Sequence, residues 1–144
     1  MMNDIQEILN TTDRFAAKAG CRITEVDARH AVAEMTVAKE HLNAGGVCQG
    51  GALFTLADLA MAAMMNHQNN LTFGISSHVM FVASAHEGDR LRAEATPVNE
   101  HHKLPSVEVR VINQEGKLIC HVTGMGYRKE TPLSGGKGYG FFAK

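Results

Sequence analysis

Residues 47–66, VCQGGALFTLADLAMAAMMN, constrain the fold of this chain more than any other stretch. After the pair Gly50 and Gly51, every side chain from Ala52 to Met65 is apolar except Thr55 and Asp58. Alanine, leucine and methionine in that density favour a helix over a strand, reaching about Asn66. A helix apolar nearly all round has to be buried on most of its surface. Only one other helix is expected, over Asp4 to Ala19, where Ile5, Ile8, Leu9 and Phe15 recur at helical spacing before Gly20 ends it. One partner helix cannot cover the central one, so a sheet has to wrap it.

The rest of the chain supplies that sheet. Strands are expected over Arg22–Asp27 and His30–Val37, then, after the loop KEHLNAGG, over 71–85, 89–101, 106–114 and 117–129. In the first of the later four, Phe73, Ile75, Ser77, Val79 and Phe81 alternate with Gly74, Ser76, His78 and Met80. The last two are joined by the turn Gln114-Glu115-Gly116. The expected class is α+β, a long central helix wrapped by a curved antiparallel β-sheet. One domain spans residues 1–130, and a glycine-rich tail occupies 131–144. The GGKG of that tail lacks the preceding strand that a phosphate loop needs.

Composition narrows the function. At 144 residues, 44% hydrophobic and 20% charged, the chain reads as one globular domain. A formal charge of −1 supplies no basic field for nucleic acid. The apolar run falls short of the roughly 20 residues that a membrane span needs, and it carries Asp58. MMNDIQEILN lacks the apolar core of a secretion signal. Cys21, Cys48 and Cys120 form no CxxC pair, which suggests neither zinc nor disulfides and fits a cytoplasmic protein.

Asp58 shares a helical stripe with Thr55, Ala62 and Asn66. Two readings compete for it: a solvated face, or a cleft in which the carboxylate serves as general base or nucleophile. Gly50 and Gly51 fall at the helix start, where backbone N–H groups have no intrahelical acceptor and point at an incoming oxygen. An oxyanion-type donor and a carboxylate are two parts of an acyl-transfer site. They lie eight residues apart, about 12 Å along one helix axis. One carbonyl cannot meet both within a single helix, so the cleft reading demands a two-fold dimer with two composite sites.

HLNAGGVCQGGALFTLADLA resembles the signature of hotdog-fold acyl-CoA thioesterases of the phenylacetate-degradation type. That pattern runs Asn, two variable residues, Gly, two more, His-Gly-Gly, then Leu-Ala-Asp within the central helix. The resemblance covers roughly residues 10 to 130 and implies a hotdog fold. It also implies hydrolysis of an acyl-CoA to a carboxylic acid and CoA, without metal or redox cofactor. On it, Asp58 is the base or nucleophile and the Gly50 N–H polarises the thioester carbonyl. Asn43 helps hold the nucleophile or water, and Ser76 offers a hydroxyl nearby. Asn43 and Gly50 come from one subunit, Asp58 and Ser76 from the other, in a homodimer or a dimer of dimers. Gln49 stands where the family has histidine; it can hydrogen-bond but cannot titrate near neutrality. A thiol leaving group, with a pKa of about 8.5, hardly needs a general acid.

Substrate-binding candidates are Gly51 at the helix start, Lys103 and Arg90 for the CoA phosphates, and Met61 for the acyl group. For each of the last three a plain structural role competes: a solvated cation, or core packing shared with Met64 and Met65. Cys48 reads as a small buried residue more readily than as a nucleophile. The histidines of EHHK, residues 100–103, read as a solvated turn. Two rival functions remain. One is a non-catalytic acyl-CoA-binding or sensing domain, favoured by Gln49. The other is an acyl-thioester hydratase or dehydratase, whose site histidine only His41 could supply, in the wrong context.

Overall fold

The computed structural model describes residues 4–133. In chain order it has α1 (Asp4–Thr12), α2 (Arg14–Lys18), β1 (Arg22–Val26), β2 (Ala31–Thr36), a 3-10 turn at Lys39–His41, α3 (Gly50–Met65), β3 (Asn70–Phe81), β4 (Arg90–Asn99), β5 (Ser106–Ile112) and β6 (Leu118–Pro132). The six strands form one antiparallel sheet in the order β1-β2-β4-β5-β6-β3. It curls around α3, whose Leu53, Leu56, Ala57, Leu59, Ala60, Met61, Ala63, Met64 and Met65 are all buried. Val109, Val111, Cys120 and Val122 meet them from the sheet. This is the wrapped helix that the apolar run requires. The expected tail lies almost wholly outside the described residues, since β6 continues to Pro132. No helix among the described residues is long and apolar enough to cross a membrane.

The N-terminal helix expected as one piece is two. Thr11 and Thr12 turn their hydroxyls back onto the carbonyls of Glu7 and Ile8. Asp13 then leaves the helix and caps the next, its Oδ1 accepting the Ala16 N–H at 3.0 Å. Short polar side chains that compete for backbone groups end a helix in this way. Gly20, at φ +81°, closes α2. Its N–H reaches the Ala17 carbonyl and the Cys21 N–H the Ala16 carbonyl, the paired bonds of a Schellman cap. Asn10 ties this helical lead to β1, donating to the Ile23 carbonyl (2.9 Å) and accepting the Ile23 N–H (2.7 Å).

Two features of β3 position the site. It is the last strand of the sheet order, so its far edge pairs with no other strand among the described residues. It also slips register against β6 between Gly74 and Ser76. Past this bulge Ser77 lies opposite Gly124, Val79 opposite Val122 and Phe81 opposite Cys120, on the face that α3 covers. Phe73 lies opposite Tyr127, a residue exposed on the outer face. The expected alternation therefore holds from Ser77 onward and fails before it, because one extra residue reverses every later side chain.

Candidate active site

The site begins where α3 begins. Gln49 is extended (φ −66°, ψ 139°), and its carbonyl takes the N–H groups of Ala52 (3.0 Å) and Leu53 (3.3 Å). The N–H groups of Gly50 and Gly51 thus come before the first helical acceptor and carry the positive end of the helix dipole. The approach to them is braced on two sides. The Cys48 N–H donates to the Ala85 carbonyl and the Gln49 N–H to the His41 carbonyl, each at 2.8 Å.

Each glycine has its own reason. A Cβ on Gly50 would stand 2.8 Å from Phe81 Cζ, so the ring lies directly against the backbone there. A Cβ on Gly51 would fall on Gln49 Oε1, because the Gln49 side chain folds across that residue. Gly50 opens onto a hollow it shares with Asn43, Val47, Leu53, Phe81 and Val82. The Asn43 oxygen accepts the N–H groups of Gly45 (2.8 Å) and Val47 (3.3 Å), which shapes the loop. That leaves the carboxamide NH2 as the group Asn43 can offer a ligand.

Two turns along α3, Asp58 opens onto a second hollow with Met61, Met65, Thr72, Gly74 and Ser77. Its side chain reaches solvent at the surface of the single chain. The sheet and helices nevertheless crowd it enough that burial raises its pKa above the ordinary carboxylate value, and the negative charge of Asp13 raises it further. A carboxylate tuned upward is a stronger base near neutrality. Of the two serines, Ser77 and not Ser76 lines this hollow. Ser76 lies opposite Met125 on the outer face, the consequence of the bulge.

The stripe around Asp58 is only partly open. Thr55 bonds back to the Gly51 carbonyl at 2.8 Å. Asn66 is 3% exposed and turned inward, where its Nδ2 donates to the carbonyls of Ala62 (2.8 Å) and Thr72 (3.2 Å). Its Oδ1 accepts the Thr72 N–H at 2.9 Å. Asn66 is therefore a clamp between α3 and β3, not part of the cleft.

The remaining candidates separate. Met61 is both core and cavity wall, whereas Met64 is core. Lys103 holds its Nζ 5.7 Å over the Tyr127 ring, beyond the end of β4. Arg90 starts β4 at the other end and lines an outer-face groove with Arg22 and Arg92. A ten-residue strand lies between Arg90 and the Lys103 turn, about 30 Å of chain, so the two cations cannot serve one phosphate. His101 Nδ1 accepts the N–H groups of Lys103 and Leu104, both at 3.1 Å, which gives it a role inside the turn. His41 accepts the Ala38 N–H and contacts the Ala19 carbonyl, holding the 3-10 turn. Cys48 is buried and its thiol pKa is pushed up by that burial, the opposite of an activated nucleophile.

Sequence patterning missed Ser77, Asn66, the Phe81 ring over Gly50, and the two inward glycines of β6, Gly124 and Gly126. For Phe81 the alternation of β3 was the available signal. For the rest only tertiary register decides.

Residues 45–120 match the thioesterase superfamily. An esterase-named protein of Archaeoglobus fulgidus is 37% identical over 128 residues, covering 89% of this chain and 83% of that one. The acyl-coenzyme A thioesterase PaaI of Escherichia coli is 29% identical over 123 residues, 85% of this chain and 88% of that one. The structure of E. coli PaaI superposes with a TM-score of 0.82 at 26% identity, covering 90% of this chain and 99% of that one. With the matched segment running from the glycine-bearing loop through the sheet-wrapped helix and into β6, the chain belongs to the thioesterase superfamily as a hotdog-fold thioester hydrolase.

Proposed function

We propose that this protein is a cytoplasmic acyl-CoA thioesterase that works as a two-fold dimer, alone or paired into a tetramer. The observation that carries the reading is the division of the site. Gly50 and Asn43 share one hollow, Asp58 and Ser77 another, and no residue among those described lines both. Pairing two copies antiparallel along β3 would set the Gly50 end of one α3 beside the partner's Asp58. The place of β3 at the end of the sheet order suits this, since Ile75, Met80 and Phe81 are exposed along it. A long apolar edge left open would invite aggregation. The unpaired thiols Cys21, Cys48 and Cys120 fit a reducing compartment.

In this arrangement the Gly50 N–H binds the thioester oxygen, aided by the positive helix end. The partner's Asp58, or a water it deprotonates, attacks the acyl carbon. The C–S bond breaks, the thiolate leaves and takes up the proton, and the acyl group ends as a carboxylic acid; in the covalent variant water then opens the mixed anhydride. The Asn43 NH2 steadies the attacking water, and Ser77 offers a hydroxyl in the hollow of Asp58. Gln49 donates a hydrogen bond without moving a proton. For the CoA tail we favour Lys103 over Arg90, because its turn lies at the Thr72 end of β3.

The test is subunit complementation followed by free-thiol release from acyl-CoA. Gly50→Pro removes the donor at a helix position that tolerates proline, after an extended residue that proline requires. Its ring displaces Phe81, whose exposed side chain can turn aside. Gly50→Pro and Asp58→Ala homodimers should each be inactive. Mixed and re-equilibrated in equal amounts, they should regain about a quarter of wild-type activity, because half the dimers are mixed and each has one intact site. No recovery would refute the composite site. Stabilisation by acyl-CoA without thiol release would favour a binding module instead.

A further inference from the structure

The inward face of β6 changes character along its length. Cys120 and Val122 fill their positions behind α3, but the next two inward positions are Gly124 and Gly126. A Cβ on Gly124 would come 2.5 Å from Met61 Sδ and 3.5 Å from Ser77 Oγ. A Cβ on Gly126 would come 2.7 Å from Met65 Sδ and 2.8 Å from Thr72 Cγ2. The two thioethers therefore lie back into the space that side chains on β6 would otherwise occupy. What remains in front of them is the hollow beside Asp58, about 140 Å³, walled by Met61, Ala62, Met65, Thr72 and Ser77.

We propose that Gly124 and Gly126 gauge the acyl pocket, by letting Met61 and Met65 retreat, and that the pocket so formed takes an acyl group of one ring or a short chain. This rests on the thioesterase reading of the Asp58 hollow. A cavity of roughly 150 Å³ lined by apolar side chains accommodates benzene, which sets the scale at about six carbons. Met61, Ala62 and Met65 give it apolar walls, Thr72 and Ser77 add hydroxyls, and Asp58 stands among them, an arrangement that sets the acyl group beside the base. Methionine suits the role, since an unbranched thioether moves as a unit when its backing changes.

Two variants move the pocket in opposite directions. Gly124→Ala pushes Met61 Sδ forward into the hollow, and because the displaced atom is near the end of a flexible side chain, the fold absorbs it. Met61→Ala removes the wall. The measurement is kcat/KM by thiol release across acetyl-, butyryl-, hexanoyl-, benzoyl- and decanoyl-CoA. Wild type should favour hexanoyl- or benzoyl-CoA over decanoyl-CoA by about tenfold or more. In Gly124→Ala the hexanoyl-to-acetyl ratio should fall by about tenfold, and in Met61→Ala the decanoyl-to-hexanoyl ratio should rise by a similar factor. Should Met61→Ala fail to fold, Gly124→Ala alone decides. A wild-type length profile in the folded variants, or equal use of decanoyl- and hexanoyl-CoA by wild type, would overturn the proposal. Absence of thiol release from every acyl-CoA would instead strike the activity itself. The same length series, read as ligand-induced rises in Tm, then decides whether the glycines gauge the pocket.

Discussion

Asn66→Ala isolates the clamp that sets the spacing of α3 and β3. Asn66 is 3% exposed, and its carboxamide holds both backbone groups of Thr72, itself 6% exposed. Alanine leaves the Thr72 N–H and carbonyl without those bonds in a place that water reaches poorly. Each buried group so orphaned costs about 1–3 kcal/mol, and partial relaxation puts the sum near 2–4 kcal/mol. Unfolding entropy of about 2.1 cal/mol/K per residue gives about 0.3 kcal/mol/K for a chain of 144 residues. The expected fall in Tm is therefore about 7–13 °C. Calorimetric or circular-dichroism melts at one fixed protein concentration read it directly, since a dimer's Tm moves with concentration. Because Thr72 and Met65 also wall the Asp58 hollow, kcat/KM should decline in the folded variant as well. A Tm within about 2 °C of wild type would refute the reasoning, for it would mean that Thr72 finds other partners at no cost.

Asp58→Asn should lower kcat/KM on the order of a thousandfold while raising Tm at pH 7. The native pKa of Asp58 lies above 3.8, so between that value and the raised one the folded state binds more protons and stability falls as pH climbs. The variant lacks this slope, so its advantage in Tm should vanish below about pH 4; a constant difference across pH would contradict the raised pKa. Gln49→His should change kcat/KM less than about tenfold and add no inflection near pH 6.5, as a residue that only hydrogen-bonds predicts. A hundredfold gain would assign proton transfer to that position. Iodoacetamide at pH 8 should leave Cys21, Cys48 and Cys120 unmodified in the native protein, since burial raises all three thiols, Cys21 to about 12 and Cys120 to about 11. Mass spectrometry after urea unfolding should then find all three alkylated; rapid native labelling of Cys48 would reopen it as a reactive thiol.

What the sequence made legible follows from periodicity, and what it hid lies where periodicity stops. The central helix was readable because a run from Ala52 to Met65 with two polar residues has only one way to be buried. The separation of Gly50 from Asp58 was readable because the rise per residue is fixed, and the two open onto different hollows. Three features escaped for the same kind of reason. Asn66 shares the Asp58 stripe on a helical wheel, but the helix ends at Met65, and beyond it the side chain follows the strand it ties down. Ser76 and Ser77 exchange faces at a bulge that sequence alternation does not register. Asp13 interrupts a helix that apolar spacing draws as continuous, and from that break its charge acts on Asp58. Helix ends, bulges and breaks release backbone and side chains from their repeating partners, leaving them free to tie elements together, line a cavity or shift a pKa. Regular α3 carries Asp58, Met61 and Met65 to one side of the hollow, and the interruptions complete it: the bulge turns Ser77 inward and the helix break sets the Asp13 charge near the carboxylate.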